Sequence, residues 1–276
     1  MPFLSTPRGR FFYRQAAGDQ PVLVFLHGNL GTSLWWRPVL DLLPVGWYGL
    51  AFDAIGYGHS DRTERLDRFS LAALALDLAG CLDALGLAFC HLVAHSSATP
   101  VAVEFALAYP GRVATLAMVG PVPVSGVSTP AEAYPLLERL PQDHELLAQA
   151  LHASAPALDP ASAEFRQYLA DAGKIDGMTL VASARSLDAW APGERLRQLT
   201  LPVLLMRGED DLMVSEQEAQ QTLLAIPGAN NLEVLAGAGH SPMVERPQAF
   251  AEVLVRFITE DWEGYDRVRA SALDRE

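Results

Sequence analysis

Three short segments of the chain carry the residue types that nucleophilic catalysis needs. Ser96 follows the apolar residues 89–94, His240 lies in a glycine-rich stretch, and three adjacent carboxylates occupy positions 209–211. A serine hydroxyl is a weak nucleophile and becomes effective when a base, itself oriented by a third group, takes its proton. The three segments therefore predict an acyl-transfer site built from a serine, a histidine and one carboxylate.

Ser96 is the predicted nucleophile because it stands where a strand would turn sharply into a helix. A serine at such a turn points its hydroxyl off the top of the sheet, at the positive end of the helix, which favours an alkoxide. Ala94 and Ala98 replace the two glycines of the Gly-x-Ser-x-Gly pattern. Taken alone, the motif fits equally well a serine that only caps the helix. The assignment depends on the other segments.

His240 is the predicted base. Glycines 237 and 239 precede it, and such a loop can place an imidazole over the sheet without steric cost. Glu209, Asp210 and Asp211 follow the apolar residues 202–206, and each could orient that imidazole. The chain order is serine, then carboxylate, then histidine.

A possible oxyanion hole follows the apolar residues 21–26, in the sequence His-Gly-Asn-Leu-Gly at positions 27–31. Glycine there lets backbone N–H groups turn toward a bound oxygen, where they would stabilise a tetrahedral intermediate. The predicted donors are the backbone amides of Asn29 and Ser97. The isolated histidines His27 and His95 are interpreted as structural, since a lone histidine usually satisfies its hydrogen bonds within the protein.

The elements that position these residues alternate along the chain. Short apolar runs, typical of strands buried on both faces, lie at residues 21–26, 47–52, 89–94, 115–119, 202–206 and 231–235. Amphipathic helix patterns separate them, the clearest beginning after Ser70 and ending before Gly86. This alternation predicts an α/β fold with a mostly parallel, doubly wound sheet.

The alternation breaks between residues 121 and 200, where prolines, seven of them in residues 121–160, separate several helical patterns. This segment is predicted to be a helical cap inserted over the carboxyl ends of the strands, the place where open α/β sheets bind ligands. Residues 1–120 and 201–276 would then form the two parts of the core domain. From about Glu260 onward the chain is expected to be a solvated helix extension or tail.

Composition excludes several classes of function. Half of the 276 residues are hydrophobic and the net charge is −13, which rules out a disordered chain and disfavours binding to nucleic acids or anionic membranes. Cys81 and Cys90 lack the spacing of a metal site or disulfide framework and are expected to be buried thiols. Without a signal peptide or apolar span, a cytoplasmic protein is expected, with no metal or cofactor and a small-molecule substrate as its partner.

Five segments together resemble the motif series of the α/β-hydrolase superfamily over about residues 21–258. They are residues 27–31, 53–60, 94–98, 208–211 and 239–240. The resemblance implies that Ser96 is the nucleophile, His240 the base and Asp211, three residues after Gly208, the acid. The apolar residues 212–214 agree with this choice, since they would bury the Asp211 carboxylate, and a buried charge must be paired.

The same resemblance implies that the amides of Asn29 and Ser97 are the oxyanion donors and that residues 53–60 form a structural turn. Haloalkane dehalogenases and epoxide hydrolases, which use an aspartate nucleophile, are disfavoured because position 96 is serine. Asn29 does resemble the dehalogenase pattern, so its side-chain amide is a candidate extra donor.

The substrate is expected to be a small to medium, largely apolar ester, thioester or lactone, cleaved through an acyl-enzyme on Ser96. Lysine and arginine are scattered through residues 121–200, which disfavours a highly anionic substrate. The residues predicted to line the pocket are Trp36, Val122, Leu187, Trp190, Met213 and Met243. Two alternatives remain open: a carbon–carbon bond hydrolase with the same triad, and a ligand receptor or signalling protein with little turnover.

Overall fold

A computed structural model of the chain describes residues 2–262, and it is organised around one eight-stranded sheet. The strands are β1 (Phe3–Thr6), β2 (Gly9–Ala16), β3 (Gly18–Leu26), β4 (Gly46–Phe52), β5 (Cys90–His95), β6 (Val113–Val119), β7 (Val203–Gly208) and β8 (Ala229–Leu235). Their order in the sheet is β1-β2-β4-β3-β5-β6-β7-β8. All pairs from β4 to β8 are parallel, while β1 and β2 are antiparallel. The predicted α/β fold with a mostly parallel sheet is confirmed.

The six apolar runs of the sequence correspond to β3 through β8. Leu23, Val24 and Phe25 are successive residues of β3, and all three are completely buried. Adjacent strand residues point to opposite faces, so both faces of this sheet are covered. The hairpin of β1 and β2 was not predicted, because arginines at positions 10 and 14 interrupt its short apolar pattern.

Helices cover both faces of the sheet and fill the segment between β6 and β7. They are α1 (Arg37–Leu40), α2 (Leu71–Ala84), α3 (Thr99–Ala108), α4 (Ala133–Arg139), α5 (His144–Ser154), α6 (Ala163–Ala172), α7 (Gly177–Asp188), α8 (Glu216–Ala225), α9 (Pro242–Glu245) and α10 (Pro247–Ile258). Helix α2 is the one predicted after Ser70, whose hydroxyl accepts a hydrogen bond from the N–H of Ala73. None of the helices in residues 2–262 is long and apolar enough to cross a membrane.

Residues 121–200, all of which the structure describes, carry helices α4 to α7 and no β-strand. The Tyr168 ring of α6 packs on Trp35 at 5.6 Å between ring centroids. Leu147 and Phe165 belong to the same buried cluster as Leu23 of β3. These helices therefore pack onto the loops and the core beside the sheet. The division into a cap at 121–200 and core parts at 1–120 and 201–276 stays a prediction, and the expected tail beyond Trp262 lies outside the described residues.

Cys81 and Cys90 are both buried free thiols, as their apolar surroundings predicted. Burial raises the pKa of each thiol to about 12. Thiolate is the reactive form of cysteine, so neither residue is suited to nucleophilic chemistry near neutral pH.

Candidate active site

Ser96 lies on a strained turn between β5 and α3. Its φ angle is +51°, in the left-handed region that residues other than glycine rarely adopt. The Thr99 hydroxyl donates to the carbonyl oxygen of Ser96 at 2.8 Å and accepts from the N–H of Val122 at 3.0 Å. These bonds hold the strained residue in place. Ala94 and Ala98 are buried beside it, so alanines fit where nucleophile elbows usually have glycines.

A continuous hydrogen-bonded chain joins the three predicted catalytic residues. The Ser96 hydroxyl donates to Nε2 of His240 at 2.8 Å, and the Nδ1–H of His240 donates to Oδ2 of Asp211 at 2.9 Å. His240 and Asp211 are buried, whereas Ser96 is half-buried. The structure thus brings together a half-buried hydroxyl, an imidazole and a carboxylate in the order that a serine, histidine and aspartate triad requires.

The Asp211 carboxylate is charged despite its burial. Burial acts to raise its pKa, but the hydrogen bond and the electrostatic attraction of His240 outweigh that effect. Its Oδ1 also accepts from the N–H groups of Met213 at 2.8 Å and Val214 at 3.0 Å. The pKa of Asp211 therefore lies below its ordinary value, and the carboxylate can stabilise a protonated His240.

The two neighbouring carboxylates point elsewhere. Glu209 is exposed and accepts a hydrogen bond from the N–H of Gly237 at 3.1 Å. Asp210 is also exposed, and its own N–H donates to the carbonyl oxygen of Ala238. Among the described carboxylates, only Asp211 is hydrogen-bonded to the His240 ring.

Gly120, which sequence reasoning did not single out, makes room for the base. It follows β6 with a φ angle of +51°, and a Cβ atom there would lie 2.7 Å from Cε1 of His240. The imidazole therefore packs directly against the backbone, which any larger residue would prevent. The available signal was a single glycine at the end of a strand neighbouring that of Ser96.

Glu245 is a second residue that sequence reasoning missed. Its buried carboxylate accepts through Oε2 from the N–H groups of Gly239 at 2.9 Å and Ser241 at 3.1 Å, on either side of His240. Through Oε1 it accepts from the N–H of Ala157, in the segment after α5, at 2.9 Å. Glu245 thus fixes the loop of the base and connects it to residues 121–200. A lone acidic residue after the apolar residues 242–244 was the only sequence signal.

His27 and His95 have structural roles, in agreement with the sequence interpretation. The Nδ1–H of His27 donates to the carbonyl oxygen of Gly28 at 2.9 Å, and its Nε2 accepts from the N–H of Ala54 at 3.0 Å. The Nε2–H of His95 donates to the carbonyl oxygen of His240 at 3.0 Å. Burial lowers the pKa of both rings, that of His95 to about 3. His95 is therefore a neutral support for the loop of the base.

The buried, neutral His95 makes folding stability depend on pH. An unfolded histidine takes up a proton near pH 6.5, whereas His95 in the folded protein does not until about pH 3. The unfolded chain then binds more protons between these values, so the free energy of unfolding falls as the pH drops below 6.5. We expect urea unfolding between pH 6 and 4.5 to show that the free energy of unfolding depends less steeply on pH in His95→Gln than in wild type. The difference in this slope should reach up to about 1.4 kcal/mol per pH unit.

The control for this measurement is His59→Gln, since His59 is exposed. It should keep the wild-type slope. An unchanged slope in His95→Gln would contradict a neutral, buried His95, whatever the absolute stability of the variant.

The oxyanion donors differ from the expectation in one respect. The N–H of Ser97 has no hydrogen-bond acceptor within residues 2–262, so it is available to donate to a ligand. The N–H of Asn29, however, donates to the hydroxyl oxygen of Ser97 at 2.8 Å. The Asn29 amide therefore has a partner within the protein, and the roles of both amides as oxyanion donors stay predictions.

Residues 53–60 form the structural turn that the sequence predicted. The buried Asp53 carboxylate accepts from the N–H groups of Ser33 at 2.7 Å and His59 at 2.8 Å. The turn presents the Tyr57 hydroxyl, which donates to Oδ1 of Asn29 at 3.0 Å. Ser183 of α7 donates to the same oxygen at 2.9 Å. The Asn29 side chain is thus held between the turn and the helical segment.

A cavity opens beside Asn29, Ser97 and Ser183 and extends between the sheet and α2. Its walls are mainly apolar, with Ile55, Phe69 and Leu78 among them. No lysine or arginine is among its lining residues, and its acidic ones are Asp53 and Asp77.

None of the six residues predicted for the pocket lines this cavity. Trp36 and Met243 are completely buried, Trp36 against Phe25 and Phe250. Val122 is buried behind the turn of Ser96, to which its N–H is tied through Thr99.

The other three predicted pocket residues also lie elsewhere. Trp190 is buried and donates a hydrogen bond to Glu104, and Leu187 packs against the core. Met213 is half exposed and lies two residues after Asp211. Apolar character in the sequence does not separate packing from ligand contact.

No group of His, Cys, Asp or Glu side chains within residues 2–262 is arranged to hold a metal ion.

Comparison with known proteins places this geometry in a family. The model of the alpha/beta hydrolase family matches residues 23–253. A "Putative carbamate hydrolase RutD" of Caulobacter vibrioides is 29% identical, over 88% of this chain and 91% of its own length. A 2-hydroxy-6-oxononadienedioate/2-hydroxy-6-oxononatrienedioate hydrolase of Paraburkholderia phymatum is also 29% identical, over 90% of this chain and 91% of its own.

The fold is shared with solved structures as well. The enol-lactonase of Burkholderia xenovorans LB400 superimposes with a TM-score of 0.79 at 20% identity, covering 94% of this chain and all of that one. The match to the family model spans most of the chain and includes every residue of the serine, histidine and aspartate site. The chain is a hydrolase and belongs to the alpha/beta hydrolase family.

Proposed function

We propose that this chain is a serine hydrolase that cleaves a small to medium, largely apolar ester, thioester or lactone through an acyl-enzyme. The observation that carries the proposal is the unbroken chain of hydrogen bonds from the strained Ser96 through His240 to Asp211. Such an arrangement activates a hydroxyl for attack on a carbonyl carbon.

In the proposed mechanism, Oγ of Ser96 attacks the carbonyl carbon while Nε2 of His240 takes its proton. The charged Asp211 stabilises the imidazolium that forms and keeps Nδ1 protonated. His240 then gives the proton to the departing alcohol or thiol, or to the ring oxygen of a lactone, which leaves an acyl group on Ser96. A water molecule, deprotonated by His240, releases the acid and restores the serine.

The substrate class is inferred from the cavity beside the nucleophile. Its lining is mainly apolar and includes the polar side chains of Asn29, Ser97 and Ser183, an arrangement suited to a carbonyl compound with an apolar group attached. The acidic lining residues and the absence of lysine and arginine from that lining disfavour an anionic group there. The enol-lactonase of similar fold supports a lactone as one member of the class.

Carbon–carbon bond hydrolysis is the second candidate, favoured by the relative from Paraburkholderia phymatum. That protein's name describes a dioate, a substrate with two carboxylates. A dianionic substrate would need cationic partners, and the cavity of this chain offers none among its lining residues. The ester or lactone therefore remains the better-supported substrate.

A screen of p-nitrophenyl esters with acyl chains of two to eight carbons, together with γ-lactones of matched length, tests the proposed function. We expect turnover with a rapid burst of p-nitrophenol in stopped-flow measurements, because p-nitrophenol leaves in the acylation step, which for such an activated ester is faster than deacylation. Turnover of a carbon–carbon substrate without ester or lactone hydrolysis would favour the second candidate. Ligand binding without turnover would favour a receptor.

The length of the cavity should set the preferred acyl chain. Leu78 of α2 lines the cavity and is buried, so Leu78→Phe would shorten it. We expect the ratio of kcat/KM for octanoate over acetate esters to fall about tenfold, since one or two methylenes are worth about 1–3 kcal/mol in an apolar pocket. Activity on the acetate ester should change little.

The matched control is Leu187→Ala, which changes an apolar residue outside the cavity lining. It should leave the chain-length ratio as in wild type. A shift in Leu187→Ala and none in Leu78→Phe would show that the acyl chain binds near Leu187 and outside this cavity.

A further inference from the structure

The hydroxyl of Ser97 stands where an oxyanion donor would hold its ligand. The N–H of Asn29 points at this hydroxyl oxygen, 2.8 Å away. That separation is the one expected between an oxyanion and its donor. An N–H group has a single hydrogen, so a substrate oxygen cannot take the same position while the Ser97 hydroxyl is there.

The amide of Asn29 is held firmly in this direction. The side chain of Asn29 is fixed by the hydroxyls of Tyr57 and Ser183. Gly28, the preceding residue, packs so closely that a Cβ atom would lie 2.9 Å from Cβ of Ser96. Aiming the amide elsewhere would require several of these contacts to break.

Ser97 has two hydrogen-bond donors, its backbone N–H and its side-chain hydroxyl. Neither its N–H nor its hydroxyl hydrogen has an acceptor among residues 2–262. The side chain is half-buried and lines the cavity, and Ser97 directly follows Ser96 in the chain. The N–H and the hydroxyl flank the same Cα atom, so both can point at one oxygen. Accepting a hydrogen bond from Asn29 also polarises the hydroxyl and makes it a stronger donor.

We propose that Ser97 is a catalytic residue whose hydroxyl, together with its backbone N–H, donates to the oxyanion of the tetrahedral intermediate. The N–H of Asn29 donates to the oxygen of this hydroxyl and thereby holds it in position. The inference rests on the proposed function, since the oxyanion forms only if Ser96 attacks a carbonyl carbon. The Ser97 hydroxyl keeps its hydrogen throughout: when the intermediate collapses, the electron pair of the oxyanion re-forms the C=O bond, the bond to the leaving group breaks, and the leaving group takes its proton from His240.

The test compares Ser97→Ala and Ser97→Thr on p-nitrophenyl butanoate. Loss of one oxyanion donor lowers kcat by about 10²-fold or more, so Ser97→Ala should show that loss with KM within about threefold of wild type. Ser97→Thr keeps the hydroxyl and should stay within about fivefold of wild type. Circular dichroism and thermal melting check that both variants fold.

Binding of a trifluoromethyl ketone with a butyl chain gives a second measurement, because its adduct with Ser96 carries the oxyanion. Its inhibition constant should rise about 10²-fold in Ser97→Ala, in parallel with the loss of kcat/KM. Rates in Ser97→Ala equal to or above wild type would overturn the inference and show that the hydroxyl blocks the Asn29 amide. Equal losses in Ser97→Thr and Ser97→Ala would also overturn it.

The failures of the two proposals are distinguishable. If the wild-type protein hydrolyses the ester and only the Ser97 results disagree, the inference fails while the proposed function stands. If the wild type neither hydrolyses the ester nor reacts with the ketone, both fail.

Discussion

Replacing Ser96 by alanine should lower kcat for a p-nitrophenyl ester by about 10⁶-fold, the scale of loss when a triad loses its nucleophile. The hydroxyl of Ser96 is the only one hydrogen-bonded to Nε2 of His240 among residues 2–262. Without it no acyl-enzyme can form. A residual rate about 10³-fold above that in water is compatible with this result, since binding and the oxyanion donors remain.

Covalent labelling checks the same residue independently of turnover. A fluorophosphonate should modify wild-type protein at Ser96 alone and should not modify Ser96→Ala. Ser215→Ala is the control, because Ser215 is an exposed residue at the start of α8. It should retain labelling and activity. Persistent labelling of Ser96→Ala would refute the assignment of the nucleophile.

Replacing Asp211 by asparagine should lower kcat by about 10⁴-fold. The amide side chain has nearly the same shape but cannot accept from Nδ1–H of His240 with a full charge, so the imidazole loses its orientation and its stabilised cation. The variant also loses the charge that the amides of Met213 and Val214 support. The measurement is kcat on one ester, with thermal melting to verify folding.

The neighbouring residues provide matched controls for Asp211→Asn. Asp210→Asn and Glu209→Gln each change an exposed carboxylate that does not contact His240, and both should stay within about tenfold of wild type. A large loss in Asp210→Asn with a small one in Asp211→Asn would show that the neighbour orients the base.

The sheet could be predicted from the sequence because its strands are buried on both faces. Continuous apolar runs such as residues 21–26 are a local signal, and they need no knowledge of the partner strand. The order of Ser96, Asp211 and His240 along the chain, each after such a run, then placed all three at one edge of a parallel sheet. The hairpin of β1 and β2 was missed since its alternation is short and carries charges.

The cavity could not be predicted in this way. Trp36 and Leu187 have the same apolar character as Phe69 and Leu78, yet only the latter two line the cavity. Whether an apolar side chain contacts a neighbouring side chain or lines a cavity depends on how distant segments pack. The hydropathy of a residue is the same in both environments and cannot distinguish them.

The sequence by itself determined the α/β architecture and the candidates for nucleophile and base, since these follow from local pattern and chain order, while the choice of Asp211 among three adjacent carboxylates depended on the resemblance to the family. The tertiary structure decided the contacts between segments far apart in the chain. Gly120 admits the His240 ring, Glu245 fixes its loop, and the hydroxyl of Ser97 reaches the amide of Asn29, 68 residues away. Such contacts depend on tenths of an ångström in the packing of loops, whereas strand and helix patterns depend only on which faces are buried.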